Sequence, residues 1–176
     1  ATPTIPPPNI CDWLGIEECQ TLTHLDLASN SLTGPLPTEL GSLIALTHLN
    51  LGYNSLIGTI PTELGSLINV ISLHLDVNGL VGTLPTELGN LTKLTLLFLG
   101  LNSFDGTMPT ELGKLTSIEK LDLQSNDLSG SIPSEFVDMA GIWCYTFFSS
   151  SPCSGYGNLY DNNNLDETVP SSISVS

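Results

Sequence analysis

Asparagine recurs at Asn30, Asn54, Asn78, Asn102 and Asn126, 24 residues apart each time. Glycine keeps step at Gly34, Gly58, Gly82, Gly106 and Gly130, and proline at Pro37, Pro61, Pro85, Pro109 and Pro133. Three residue types holding one period through five units constrain the chain severely: it must fold as stacked copies of one coil. The apolar positions follow the same period. Leu46, Leu49, Leu51, Leu56, Ile60, Leu64 and Leu67 of the second unit correspond to Leu94, Leu97, Leu99, Phe104, Met108, Leu112 and Leu115 of the fourth. All seven positions are apolar in all five units. No single unit can bury these side chains alone, so each coil relies on its neighbours for a core.

Each residue type has a physical task. Alternation around Leu49 and Leu51 predicts a short strand with leucines inward and the intervening side chains outward. Successive coils then pair as parallel strands about 4.8 Å apart. The recurring asparagine carries two amide donors and an acceptor, enough to satisfy backbone groups in its own turn and in adjacent coils. Glycine permits a positive φ. Proline cannot donate to a ladder and marks a bend or strand end.

The segment "LTHLNLGYNSLIGTIPTELGSL", Leu46 to Leu67, reads LxxLxLxxNxLxGxIPxxLGxL. From Leu22 to Gly141 the chain resembles the plant-type leucine-rich repeat. That repeat is found in plant receptor-kinase ectodomains, polygalacturonase-inhibiting proteins and many algal secreted proteins. The resemblance implies an α/β solenoid: a curved right-handed coil with a concave parallel sheet, five full 24-residue repeats and a partial sixth. It also implies a second short strand around the "GTIP" segments. "CDWLGIEEC", Cys11 to Cys19, resembles the Cys-x-Trp…Cys element that closes the N-terminal face in this family, with Trp13 and Ile16 over the first coil. The long helical cap of plant receptors has no counterpart in the proline-rich "ATPTIPPPNI".

The expected organisation is a proline-rich start and Cys-paired cap over 1–21, five repeats over 22–141, a Cys-paired insertion or cap over 142–157, and a partial sixth repeat over 158–176. "NNLDETVPSSI", from Asn163, mimics "NSLIGTIPTEL", with Glu167 in place of the glycine. Either an insertion followed by half a sixth unit or an ordinary C-terminal cap accounts for the broken period, and an end in mid-repeat at Ser176 equally suits a fragment of a longer chain. The chain begins at Ala1, without a methionine or signal peptide, and so reads as processed or as a fragment. Cys11 with Cys19 and Cys144 with Cys153 form two close pairs at opposite ends. Their spacing is not that of a zinc site; it suggests local disulfides and hence an oxidising compartment.

Charge excludes several functions. Against 18 acidic residues stand only Lys93, Lys114 and Lys120, for a net charge of −15. Such a chain repels phosphate backbones and anionic membranes, so no nucleic-acid partner is expected. No apolar run approaches the roughly 20 residues of a membrane span, so no membrane insertion is expected either. The expected location is extracellular, secreted or at the cell surface. Asn90-Leu91-Thr92 is the one N-x-Ser/Thr sequon and places Asn90 as a glycosylation site.

The outward strand positions form columns: His24, His48, Ser72, Leu96, Lys120; then Asp26, Asn50, His74, Phe98, Asp122; then Ala28, Gly52, Asp76, Gly100, Gln124; then Ser29, Tyr53, Val77, Leu101, Ser125. The fourth unit is anomalous, since Leu96, Phe98 and Leu101 all face outward beside Val77, Tyr53 and His74. A contiguous apolar cluster of this kind marks a contact surface. His48, Asp76, Lys120 and Asp122 give it a polar rim. The expected ligand-binding residues are therefore His48, Tyr53, His74, Asp76, Val77, Leu96, Phe98 and Leu101, with Phe98 as anchor.

His24 and His48, with Asp26, Asn50 and His74 nearby, offer imidazoles and a carboxylate, but no spacing enforces a metal geometry; no metal or other cofactor is expected. A serine–histidine–aspartate set can be drawn from Ser72, His48 and Asp26. An open sheet supplies neither oxyanion donors nor a pocket, so the chain is not expected to be an enzyme and no residue is assigned as catalytic. Glu39, Glu63, Glu87, Glu111 and Glu135 make a convex carboxylate column, read as a solvated face. Thr59, Thr83 and Thr107 make a short threonine column, too sparse to assign to ice binding. The leading expectation is an extracellular recognition module that binds a protein, peptide or glycan across its concave face. The opposing one is a structural block of a wall, coat or fibre, self-associating through its coil ends.

Overall fold

The computed structural model of the protein describes residues 19–139 and 164–165. Within these residues each repeat makes the same circuit: a three-residue strand, a tight turn, a second short strand, then one helical turn. The first strands are β1 (His24–Asp26), β3 (His48–Asn50), β5 (Ser72–His74), β7 (Leu96–Phe98) and β9 (Lys120–Asp122), which form one parallel sheet in that order. The second strands are β2 (Thr33–Pro35), β4 (Ser55–Gly58), β6 (Gly79–Thr83) and β8 (Ser103–Asp105), also parallel. They lie at and just before the "GTIP" segments. β10 (Ser129–Gly130) pairs in parallel with β11 (Asn164–Leu165).

The helical segments are single 3-10 turns, such as Thr62–Ser66 and Thr86–Asn90. The proline before each turn sits in extended backbone, for example Pro61 at φ −69°, a value its ring already imposes. Only five residues separate the proline from the next leucine corner, and i→i−3 bonds such as Leu64 N–H to the Pro61 carbonyl (3.1 Å) close the turn.

One aliphatic core runs the length of the stack. The seven apolar positions are buried in coils two to five, with Phe104, Met108 and Phe136 as the larger members. In the first coil Leu22, Leu27 and Leu32 are only partly buried and pack against that core. Asparagine stitches the coils as its donor and acceptor inventory requires. Asn78 Nδ2 donates to the carbonyls of Leu51, Leu75 and Asp76, while its Oδ1 accepts from Leu56 N–H, so one side chain ties two coils. Asn54, Asn102 and Asn126 repeat the pattern. The in-step glycines Gly34 to Gly130 all have positive φ, from 71° to 90°.

The glycine of "ELG" has a different purpose. A Cβ on Gly65 would stand 2.6 Å from both the Glu87 carbonyl oxygen and its Cβ, so the side chain is absent because the next coil's backbone is there. Cys19 is buried and disulfide-bonded; Cys11, Cys144 and Cys153 lie outside the described residues, as do residues 1–18 of the expected N-terminal cap and all of the expected 142–157 segment. Among the described residues no helix is long and apolar enough to cross a membrane.

Candidate functional site

Strand register aligns the concave columns as the spacing requires. His24, His48, Ser72, Leu96 and Lys120 lie opposite one another, as do Asp26, Asn50, His74, Phe98 and Asp122. Past the strands, the N–H groups of Ser29, Tyr53, Val77 and Leu101 donate to the carbonyls of Gly52, Asp76, Gly100 and Gln124 in the next coil. The backbone at these four positions and at Ser125 is left-handed, with φ between 54° and 57°. Left-handed backbone crowds the Cβ of any L residue and is least tolerated by a β-branched one.

The second column serves two ends. Asp26, Asn50 and Asp122 each turn Oδ1 back to accept the N–H two residues on, at Ala28 (3.0 Å), Gly52 (3.2 Å) and Gln124 (3.1 Å). This is the local turn that short polar side chains favour. His74 and Phe98 occupy the same position and give that bond up. Their rings stack instead, with centroids 4.4 Å apart and planes 21° from parallel. From the opposite neighbouring strand, Lys120 Nζ stands 4.5 Å from the Phe98 centroid, a cation–π contact. Phe98 is therefore half-buried between its column neighbours rather than a free anchor. The most exposed apolar members of the cluster are Tyr53, 60% exposed, and Leu101, 50% exposed. Val77 and Leu96 are half-buried, as are His74 and Asp76, while His48 is exposed.

The N-terminal half of the sheet is polar. His24 and His48 stack face to face at 4.3 Å, 9° from parallel. A shallow concavity of about 230 Å³ opens over β1, β3 and β5, lined by these two rings, Asp26, Asn50, Ser72, His74, Leu25 and Leu49. The sequence placed its histidines but not the hollow, which depends on the short Ser72 side chain between larger neighbours. Among the described residues no group of three histidine, cysteine or carboxylate side chains is arranged to hold a metal ion.

The serine–histidine–aspartate set drawn across the columns is not formed. His48 Nδ1 is hydrogen-bonded to Thr47 Oγ1 at 2.9 Å, and Ser72 Oγ to His74 Nε2 at 2.9 Å. Ser72 keeps its outward place in the column but is covered there, only 6% exposed. His74 Nδ1 and Asp76 Oδ1 are 3.9 Å apart, beyond a hydrogen bond.

Burial dominates the electrostatics of the cluster. It pushes the His74 imidazole below its ordinary range, against the pull of Asp76 and Asp26. It raises the Asp76 and Asp122 carboxyls above theirs, opposed by a backbone N–H at each. It also lowers the Lys120 ammonium, although Asp122 and Asp76 draw it upward. Charge is carried here at a cost that a solvated face would not incur.

Two other apolar pairs are exposed outside the predicted cluster: Ile44 with Ile68 after the 3-10 turns, and Ile57 with Val81 on the second strands. Their repeat spacing was the available signal. Asn90 is exposed at the end of its 3-10 turn. The convex glutamates each accept from the preceding hydroxyl, as Thr62 Oγ1 to Glu63 Oε2 at 3.3 Å. The threonine methyls seat beside the next coil's glycine: a Cβ on Gly82 would meet Thr59 Cγ2 at 3.0 Å.

A family model described as "Leucine Rich Repeat" matches residues 21–43, 45–67 and 117–139. No curated protein matches the chain. Among solved structures, the chain is similar to a TDR receptor at 40% identity and TM-score 0.72, over 82% of this chain and 23% of that one. It is similar to the ectodomain of the plant membrane receptor kinase GASSHO1/SCHENGEN3 from Arabidopsis thaliana, in complex with CASPARIAN STRIP INTEGRITY FACTOR 2. There the identity is 37% and the TM-score 0.70, over 81% of this chain and 16% of that one. It is also similar to the BIR2 ectodomain from Arabidopsis thaliana, at 30% identity and TM-score 0.65, over 86% of this chain and 71% of that one. The chain thus spans less than a quarter of the first two structures and most of the third.

Proposed function

Because this chain belongs to the plant-type leucine-rich-repeat family, we propose that it is an extracellular, non-enzymatic recognition module whose concave face binds a protein or peptide ligand. The observation that carries the reading is the last column. Tyr53 and Leu101 present exposed side chains outward, with half-buried Val77 on the coil between them, and each of the three does so from left-handed backbone. Solvation alone would favour polar side chains at these positions, and conformation alone would favour glycine or asparagine. Retaining bulky apolar groups against both preferences supports a contact role. Similar ectodomains are seen with a peptide hormone bound, as in the HAESA complex with IDA and SERK1. Others are seen with another ectodomain, as in the BIR3–SERK2 complex.

Leu96, Phe98, His74 and Asp76 form the floor beside that ridge, and His48 lies at its polar margin. Asn90 sits on the convex side, where a glycan would leave the concave face open. Against catalysis stand the covered Ser72 and the engagement of the strand amides in the parallel ladder, which leaves no preorganised oxyanion donors on the sheet.

The test is capture from the source organism's extracellular fraction, with wild type compared against Val77→Asp/Leu101→Asp and against Glu63→Gln/Glu87→Gln on the convex side. A partner retained by wild type and the convex variant but lost by the concave variant is the expected result. Retention of only further copies of the chain, by all three proteins, would replace this reading with the structural one.

A further inference from the structure

The concavity over β1, β3 and β5 is lined by two acceptors without a partner among the described residues, His48 Nε2 and Asp26 Oδ2. Thr47 Oγ1 donates its one hydrogen to the Thr23 carbonyl at 2.9 Å. The same oxygen lies 2.9 Å from His48 Nδ1. With that hydrogen spent, Oγ1 accepts from Nδ1–H, and the neutral ring keeps its lone pair on Nε2. Nε2 of His48 has no partner among the described residues. Asp26 is exposed at the same hollow and uses Oδ1 to cap Ala28 N–H, leaving Oδ2 as a charged acceptor. Asn50 Oδ1 is held by Gly52 N–H, which leaves its Nδ2 amide as the donor that residue brings to the hollow. The face-to-face His24–His48 stack presents a planar, π-rich wall at one side.

A ligand group suited to this hollow must donate several hydrogen bonds, carry positive charge, and be flat or compact. An anion is disfavoured by Asp26 and by a chain of net charge −15. Lys120, the cation of the neighbouring cluster, is engaged over Phe98. A volume of about 230 Å³ has room for one side chain. A guanidinium also stacks on aromatic planes, as an imidazole wall allows.

We infer that this concavity receives a basic side chain of the bound peptide, arginine before lysine, which donates to the Asp26 carboxylate and to Nε2 of His48. The inference rests on the concave-face reading above and adds the chemistry of the ligand: a cationic peptide with apolar residues beside the basic one. The basic side chain enters the hollow, and the apolar residues cover Val77 and Leu101.

The experiment uses Nα-acetyl-argininamide as probe and Nα-acetyl-citrullinamide as its neutral isostere. Each is titrated into the full chain while the histidine ring nitrogens are followed by NMR. The arginine probe is expected to shift the His24, His48 and His74 rings, with the citrulline probe about tenfold weaker, as loss of a charge-assisted bond implies. Asp26→Asn keeps the Oδ1 cap and is expected to weaken the arginine probe by a similar factor. Glu63→Gln removes the same charge from the convex side and is expected to leave affinity unchanged. Equal binding of both probes, indifference to Asp26→Asn, or no ring shift up to the solubility of the arginine probe would overturn the inference. If the probe fails while capture still depends on Val77 and Leu101, only the basic-side-chain inference falls. If the probe binds but capture ignores those two residues, the recognition reading falls and the hollow remains a cation site.

Discussion

Val77 combines two unfavourable choices at one position, a β-branched side chain at φ 54° and an apolar group facing outward. Left-handed backbone costs an ordinary residue about 1–2 kcal/mol and asparagine less. Val77→Asn is therefore expected to stabilise the fold by about 1 kcal/mol, read as the urea midpoint, while reducing partner capture. A variant that is no more stable than wild type would remove strain from the account. Asp122 gives a second check through pH. Its folded carboxyl is raised above the ordinary range by burial, so in the window between the two pKa values the native state holds more protons than the unfolded one. Stability attributable to Asp122 accordingly falls as pH rises through that window. Asp122→Asn keeps an Oδ1 for Gln124 N–H and is expected to melt above wild type at neutral pH, with the gap closing below the ordinary aspartate range. A gap independent of pH would contradict this. Residues of this scale were only partly legible in the sequence. The columns follow from the period, but the His74–Phe98–Lys120 sandwich that half-buries Phe98 depends on ring orientation, which no spacing specifies.

At the scale of one coil, two kinds of glycine are separable by experiment. Gly34 has φ 90° and open space around a notional Cβ, so Gly34→Ala carries conformational strain alone. Gly65 packs directly on the Glu87 backbone, and Gly65→Ala forces neighbouring coils apart. Overpacking of this kind costs about 1–3 kcal/mol, beside about 1 for the strain, so Gly65→Ala is expected to lower the unfolding midpoint further. The reverse order would show that coil spacing is softer than the contacts imply. The positive-φ glycines were legible from their place in the turn. The close-approach glycines were not assigned, because their purpose lies in the next coil 22 residues on. The same holds for the left-handed column before each asparagine, where Ser, Tyr, Val and Leu give no hint of positive φ.

Across the whole molecule, stacking made the architecture readable. Seven apolar positions, one asparagine and one glycine recur in all five units, a second glycine recurs in the first four with Val137 in its place in the fifth, and this repetition excludes competing folds. The ligand surface was less readable because it lies where the repeat permits variation, and variation alone does not separate use from drift. Geometry narrows the choice by showing which variable residues are exposed, strained or gathered round a hollow. It also adds Ile57 with Val81 and Ile44 with Ile68 as rival apolar surfaces away from the concave sheet. The partner is expected on the concave face. Carbene footprinting of the chain, with and without the captured partner, tests this most directly. The expected result is protection of Tyr53, Val77, Leu101 and His48, with labelling of Ile44, Ile57, Ile68 and Val81 unchanged. Protection of the latter four, with the concave residues still labelled, would contradict it.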